Sequence, residues 1–89
     1  MLRNDYRSLP PVKNPGGVKI FGDHLRRLRE AREWSQVELA DYANVSNMTV
    51  HRIETAQFAA TIDVLLSLSK ALQMPLHELV KCPGMEEAD

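Results

Sequence analysis

The sequence predicts an all-α fold built from five short helices. Leu, Ala, Arg and Glu are common, whereas the 89 residues include only two Phe, two Tyr and one Trp. This composition favours helices over strands. From Phe21 onward, apolar residues also recur at helical spacing. Because 44% of the residues are apolar, the chain can form one modest core, and we expect a single domain.

The first part of the chain, residues 1–19, is predicted to be a flexible N-terminal arm. Three prolines lie between positions 10 and 15, and no helical or strand period survives them. The arm could lie along DNA or in a minor groove, although disorder alone also accounts for its composition. The globular domain is expected over residues 20–82, and an acidic tail over residues 83–89.

Helices 1 to 3 are predicted from periodicity and capping residues. Helix 1 is expected at about residues 22–33, where i, i+4, i+7 spacing places three apolar residues on one face: Phe21, Leu25 and Leu28. Ser35 followed by Glu38 matches a capping box, so helix 2 begins there and ends near Tyr42 or Ala43. Ser46 caps helix 3, which is expected to run to about Thr55.

The last two helices are strongly apolar. Thr61 caps helix 4, whose expected core residues are Ile62, Leu65, Leu68 and Leu72. Met74-Pro75 interrupts this helix, and Pro75 suits the first turn of helix 5. The apolar side of helix 5 is expected to contain Leu76, Leu79 and Val80.

Residues 35–54 have the pattern of a unit in which the second of two helices enters a major groove. Val45, Val50 and Ile53 are expected to face the core. The outward face of helix 3 then contains Asn47, Met48, His51, Arg52 and Thr55. Arginine can donate two hydrogen bonds to guanine, asparagine can pair with adenine, and methionine can contact a thymine methyl. This face predicts DNA binding.

The charge of the chain is divided unevenly. Residues 1–32 contain eight Lys/Arg and three Asp/Glu, a net charge of +5, whereas residues 33–89 have a net charge of −6. A polyanion would be attracted to the first part and repelled by the last, so DNA contact should be one-sided. Ordinary scatter of surface charge is the alternative explanation.

Catalysis, metal binding and membrane insertion are not expected. The three histidines are scattered, and the sequence contains no Gly-rich phosphate loop. His77 and Cys82 alone do not make a zinc site, and a single cysteine cannot form an internal disulfide. No apolar stretch approaches the roughly 20 residues that cross a bilayer. We expect a cytoplasmic protein in a reducing compartment, without a cofactor or a secretory signal.

Several short segments together point to one family: residues 21–29, 35–40, 45–46, 52–54 and 65–72. On these segments the chain resembles the Cro/C1-type (XRE-like) helix-turn-helix regulators, which include phage repressors and restriction-modification controller proteins. The resemblance covers about residues 20–80. It implies a compact five-helix, lambda-repressor-like DNA-binding domain. It also implies that Gln36 grips a phosphate, and that Arg29 and Glu54 form a structural ion pair.

From the residues and the resemblance together, the predicted DNA-binding set is Gln36, Ser46, Asn47, Met48, Thr49, His51, Arg52, Thr55 and Gln57. Gln36, Met48 and His51 could instead be merely solvated. The connector after helix 3 contains no charge, which predicts a shallow salt dependence and a need for two subunits on two half-sites.

At four turn positions the family usually has glycine, whereas this chain has Glu33, Asn44, Ala56 and Gln73. Asparagine tolerates a left-handed backbone better than the other three residues. If these backbones remain left-handed, each non-glycine residue costs about 1 kcal/mol. The alternative is that some of the turns have a different shape.

The resemblance and the apolar surplus of helices 4 and 5 favour a homodimer, with an interface at Val64, Leu76 and Leu79. A small core could also absorb this surplus. We expect a sequence-specific regulator of transcription, either a dimeric repressor or a controller protein, whose partner is double-stranded DNA. The alternative is a module that binds a protein partner, for example an antitoxin, which the acidic pI and the uncharged connector favour.

Overall fold

Five α-helices and one short 3-10 helix make up the regular structure of residues 12–88, the part of the chain that the computed structural model describes. The α-helices are α1 (Pro15–Ala31), α2 (Gln36–Ala43), α3 (Asn47–Glu54), α4 (Ile62–Leu72) and α5 (Leu76–Leu79). The 3-10 helix (Met85–Glu87) follows. The predicted all-α class is confirmed. Among these residues, none of the helices has the length and apolar character required to cross a membrane.

Capping side chains start three of the helices where the sequence predicts. The Ser35 side chain accepts a hydrogen bond from the Glu38 backbone N–H at 3.0 Å, and the Glu38 carboxylate accepts one from the Ser35 backbone N–H at 2.7 Å. Ser46 and Thr61 accept equivalent bonds at the start of α3 and α4. Each cap satisfies an N–H group that the helix itself cannot pair. These helix starts therefore follow from local sequence.

The core is formed by apolar side chains from all five α-helices. Its fully buried members are Leu25, Leu39, Val50, Ile53, Leu68, Leu72 and Leu79. Val45 is partly buried against this cluster. The prediction that Val45, Val50 and Ile53 face the core is confirmed, so α3 turns its other side outward.

The predicted N-terminal arm is wrong for residues 15–19, which form the first turns of α1. Proline fits the first position of a helix because its fixed φ is helical and its missing N–H would have no partner there. The 3-10 helix also packs near these turns, since a Cβ built on Gly17 would lie 3.6 Å from Met85 Cγ. Of the predicted arm, residues 1–11 lie outside the described part of the chain.

Two expectations for the apolar residues of α4 and α5 are wrong. Leu79 is fully buried in the core and therefore cannot belong to a dimer surface, whereas Val64 and Leu76 are only partly buried. Ile62, expected in the core, is 65% exposed. It lies about 120° around the helix from Leu68, at 100° per residue, and so misses the buried face.

All four non-glycine turn residues keep the left-handed backbone. The φ angles are 60° at Glu33, 57° at Asn44, 60° at Ala56 and 57° at Gln73. Asn44 and Gln73 are the C-caps of α2 and α4. The turns are therefore not re-shaped, and the chain tolerates strain at three residues that do not favour this region.

Glycine at two of these positions should stabilise the domain. Glu33 and Gln73 are exposed, so Glu33→Gly and Gln73→Gly remove strain without removing packing. We expect each to add about 0.5–1 kcal/mol to the free energy of unfolding, after the greater entropy of glycine in the unfolded chain is subtracted. Urea unfolding followed by circular dichroism measures the change. Asn44→Gly is the matched control and should add less; destabilisation by both test variants would contradict the expectation.

The stability of the domain should also fall in mild acid, because of His24. Its Nε2 atom is buried and has no hydrogen-bond partner within residues 12–88. Burial lowers the pKa of the imidazole below its ordinary value, and the charge of Arg27 lowers it further, while a smaller backbone interaction with Leu79 opposes them. The unfolded chain therefore binds the proton first. The contribution of neutral His24 to the free energy of unfolding is fully present above about pH 6.5. It is lost as the pH falls through the lowered pKa of His24.

Thermal unfolding at pH 7.5 and at pH 5 tests this expectation. His24→Phe removes the titrating group and should reduce the loss of Tm between the two values. The exposed His77 provides the control, and His77→Phe should leave the loss unchanged. If both variants behave as the wild type, another group causes the acid sensitivity.

Candidate nucleic-acid interface

The helices α2 and α3 pack against each other through a tight turn. Asn44 ends α2 in the left-handed region, and the Val45 backbone N–H donates to the Ala40 carbonyl at 3.0 Å. Ser46 then caps α3. Because Val50 and Ile53 anchor α3 in the core, the helix is held with a fixed side toward solvent.

The exposed side of α3 contains the residues that the sequence predicts there. Asn47, Met48, His51 and Thr55 are exposed, and Arg52 is half-buried. Met48 is 49% exposed, which is high for a large apolar side chain. Within the described chain, the side chains of Asn47 and Arg52 have no intramolecular hydrogen bond or ion pair. Both can therefore pair with an external group.

At the start of α3, the hydroxyl groups of Ser46 and Thr49 form hydrogen bonds within the helix. Ser46 Oγ accepts from the Thr49 backbone N–H at 3.0 Å and lies 2.9 Å from Thr49 Oγ1. Either hydroxyl can be the donor in this pair, so the pair keeps one free O–H. Ser46 and Thr49 thus form a small rigid cluster beside Asn47.

The connector after α3 is joined to the end of that helix. Thr55 Oγ1 donates to the His51 carbonyl at 2.7 Å, and Gln57 Nε2 donates to Thr55 Oγ1 at 2.9 Å. This chain of bonds holds Gln57 next to the last turn of α3. The structure therefore brings Thr55 and Gln57 together with the exposed side of the helix.

Below this surface, Arg29 and Glu54 form a buried ion pair with two hydrogen bonds. Arg29 Nε and Nη2 donate to Glu54 Oε2 and Oε1 at 2.7 and 2.9 Å, and Arg29 Nη1 donates to the Trp34 carbonyl at 2.8 Å. The side chains are only 11% and 1% exposed. The bonds to Glu54 raise the pKa of the Arg29 guanidinium above its ordinary value. The pair joins the end of α1 to the end of α3.

Gln36 belongs to the same network. Its Nε2 donates to Glu54 Oε1 at 3.0 Å, which fixes the side-chain amide at the start of α2. One amide N–H and the amide oxygen are not used by this bond. Nothing in the sequence reveals the contact, because Gln36 and Glu54 are 18 residues apart. The structure thus couples the predicted phosphate contact to the buried ion pair.

Contacts in two further places were not predicted from the sequence. Gly22 lies against α3, and a Cβ there would overlap the Ile53 backbone oxygen and lie 3.1 Å from the Glu54 oxygen. A glycine inside a helical pattern was the only available signal. On another side, the Trp34 and Tyr42 rings lie 4.5 Å apart, and Arg32 lies 5.9 Å from the Trp34 ring centre. Arg32 also donates to the Leu72 carbonyl at 2.8 Å.

Comparisons with known proteins agree with this geometry. Residues 25–79 match the family described as Helix-turn-helix. Proteins named as HTH-type transcriptional regulatory proteins are 36% identical in Methanoculleus marisnigri, over 80% of this chain and 24% of the relative, and 41% identical in Methanocella arvoryzae, over 84% and 23%. The chain thus spans about a quarter of the length of these curated relatives.

Two solved structures are similar throughout the domain. One is the restriction-modification controller protein C.AhdI from Aeromonas hydrophila, with 32% identity, a TM-score of 0.67, and coverage of 70% of this chain and 94% of the other. The second is the P22 c2 repressor in complex with a synthetic operator, with 31% identity, a TM-score of 0.63, and coverage of 68% and 92%.

Proposed function

Because this chain belongs to the helix-turn-helix family of the Cro/C1 type, we propose that it binds double-stranded DNA sequence-specifically and regulates transcription. We place its action in the cytoplasm, where it acts by binding and not by catalysis. The observation that carries the proposal is the exposed side of α3, where Asn47 and Arg52 have no side-chain partner among residues 12–88, above a buried apolar side. A helix of this kind fits the major groove.

The proposed contacts are of two kinds. Side chains on the exposed side of α3 contact base edges: Asn47, Met48, His51 and Arg52. Gln36, at the start of α2, contacts a phosphate, because its unused amide N–H lies where the helix N-terminus already favours an anion. Ser46, Thr49, Thr55 and Gln57 add hydroxyl and amide groups at the two ends of α3, where the backbone of the duplex passes.

We propose further that the domain acts as a homodimer on two half-sites about 34–36 Å apart. Large apolar side chains exposed on α4 and at the end of α5 support an interface there: Ile62, Leu66 and Val80. Ile62 and Leu66 are one turn apart and share a face. The partly buried Val64 and Leu76 can line its margin, in place of Leu79.

A second candidate function is the binding of a protein partner such as a toxin. The observation that favours it lies on α2, where Val37 and Tyr42 are largely exposed and the Tyr42 ring contacts Trp34 at a centroid distance of 4.5 Å. Exposed aromatic residues are common where proteins bind each other. In this reading α3 has no role in binding.

Selection from a random duplex pool at low salt separates the two candidates. Regulation of transcription requires enrichment of a discrete sequence, because base contacts discriminate between duplexes. If the folded protein enriches no sequence, the protein-binding function is favoured instead. Low salt is used because α3 and the connector 55–60 contain only one Lys or Arg, so that attraction to phosphates is weak there.

Arg52→Ala should then weaken binding to the selected duplex by about 5- to 150-fold while leaving non-specific binding nearly unchanged. The reason is that one arginine can bind both acceptors of a guanine edge. Arg26→Ala, at a half-exposed arginine of α1, is the matched control and should leave the ratio of specific to non-specific affinity unchanged. Fluorescence anisotropy gives both constants, and circular dichroism checks the fold. An unaltered ratio in Arg52→Ala would remove Arg52 from the base-reading set.

A further inference from the structure

The exposed side of α3 contains a large apolar side chain that is not buried in the core. Met48 is 49% exposed, and within the described chain it is the one large hydrophobic residue of α3 with such exposure. Its thioether donates no hydrogen bond and accepts only weakly. The hydroxyl of Thr49, the next residue along the helix, is engaged with Ser46.

The major groove offers only one apolar group at the base edges, the C5 methyl of thymine. A half-exposed methionine on a groove-facing helix therefore has one favourable partner on an unmodified duplex. Polar edges of guanine, cytosine and adenine would lose their water against the thioether without receiving a hydrogen bond in return. Contact of the Met48 side chain with thymine is therefore more favourable than contact with the other three bases.

The position of Met48 relative to Arg52 sets a spacing. The two residues are four apart, so they lie on the same side of α3 and about 6 Å apart along its axis, at 1.5 Å per residue. Successive base pairs rise about 3.4 Å. The thymine contacted by Met48 should therefore lie about one to two base steps from the guanine contacted by Arg52.

Weak electrostatic attraction increases the importance of this contact. Arg52 is the only Lys or Arg of α3, and the connector 55–60 that follows contains no charged residue. Resting on the proposed DNA-binding function, we infer that Met48 is a specificity-determining residue which reads a thymine methyl close to the Arg52 guanine. The operator half-site therefore combines a guanine with at least one thymine whose methyl group is required.

Replacement of single thymines by deoxyuridine in the selected duplex tests the inference, because it removes the C5 methyl and preserves base pairing. For the wild type, we expect a loss of affinity of about fourfold at one or two thymines, the factor for burying one methyl group. Met48→Ala should bind the thymine duplex more weakly and be indifferent to uracil at those positions. Met48→Leu, which keeps an apolar side chain, should retain the sensitivity.

A second replacement locates the guanine. Substituting 7-deazaguanine removes the N7 acceptor, and the position where this weakens the wild type but not Arg52→Ala is the guanine bound by Arg52. The sensitive thymine should lie within two base steps of it. Arg26→Ala, on α1 and outside the proposed base-reading set, is the control and should keep the full response to uracil.

The outcomes distinguish this inference from the proposed function. If a duplex is selected but tolerates uracil at every thymine, or if Met48→Ala keeps the same sensitivity as the wild type, the Met48 role is overturned while DNA binding stands. A sensitive thymine more than two steps from the guanine also overturns it. If no duplex is selected at all, the proposed function itself fails.

Discussion

Replacing Glu54 by leucine is expected to lower the free energy of unfolding by about 3–5 kcal/mol, because Arg29 is left as a buried and uncompensated charge. Among residues 12–88, the Arg29 guanidinium, 11% exposed, would keep only the Trp34 carbonyl and the exposed Glu30 as partners. Gln36 would lose its acceptor as well. A loss of this size is a large part of the stability of a small domain.

A double-mutant cycle shows that the pair is the cause. Arg29→Met should cost as much as Glu54→Leu, since it leaves the carboxylate buried. The double variant should lose much less than the sum of the two, because replacing a buried ion pair by apolar residues is often nearly neutral. Urea unfolding, followed at several wavelengths, gives the free energies of unfolding of the two single variants and the double variant.

The control for this cycle lies on the same arginine. Glu30 Oε2 is 4.0 Å from Arg29 Nη2, but the Glu30 side chain is 60% exposed. Glu30→Leu should therefore change the free energy of unfolding by less than about 1 kcal/mol. Equal losses in Glu30→Leu and Glu54→Leu would show that burial is not what makes the Glu54 pair important.

The second large effect is expected for Gly22→Ala. A Cβ at this position would overlap the Ile53 backbone oxygen, so α1 and α3 must separate. Backbone atoms cannot move aside as a flexible side chain can, and we expect a loss of about 3 kcal/mol. Because α3 would shift relative to α1, binding to the selected duplex should weaken as well.

Gly17→Ala is the matched control on the same helix. Its Cβ would lie 3.6 Å from Met85 Cγ, an ordinary van der Waals distance. Alanine is the better helix former by about 1 kcal/mol, so this variant should be neutral or more stable than the wild type. Thermal and urea unfolding of both variants give opposite signs if the contact between α1 and α3 is as close as described. A Gly22→Ala variant as stable as the wild type would contradict it.

Local chemistry determined much of this protein. Ser35, Ser46 and Thr61 mark helix starts because a cap needs only the amide two or three residues ahead. The outward side of α3 followed from spacing alone, since Val50 and Ile53 fix which side is apolar. These features depend on neighbours within one helical turn, and the sequence contains all of that information.

The helix boundaries, and the division of apolar residues between core and surface, were harder to predict from the sequence. Pro15 and Gly16-Gly17 suggested an arm, yet they begin α1, because contact with Met85 from the far end of the chain compensates for a weak helical sequence. The apolar pattern of α5 similarly left open whether Leu79 belongs to a surface or to the core. The packing of α5 decided for the core.

The helix-turn-helix unit itself was therefore determined by the sequence, through its caps, its apolar spacing and the polar residues on the outward side of α3. The family resemblance also implied the ion pair of Arg29 and Glu54, 25 residues apart, which the structure contains. The tertiary structure alone decided the other two supports of that unit. Gln36 is bonded to Glu54, and Gly22 touches the end of α3, contacts that join residues 18 and 31 or more positions apart. The physical reason is that spacing along a chain specifies which side of a helix is apolar, whereas distances between helices are set only when all of them pack together.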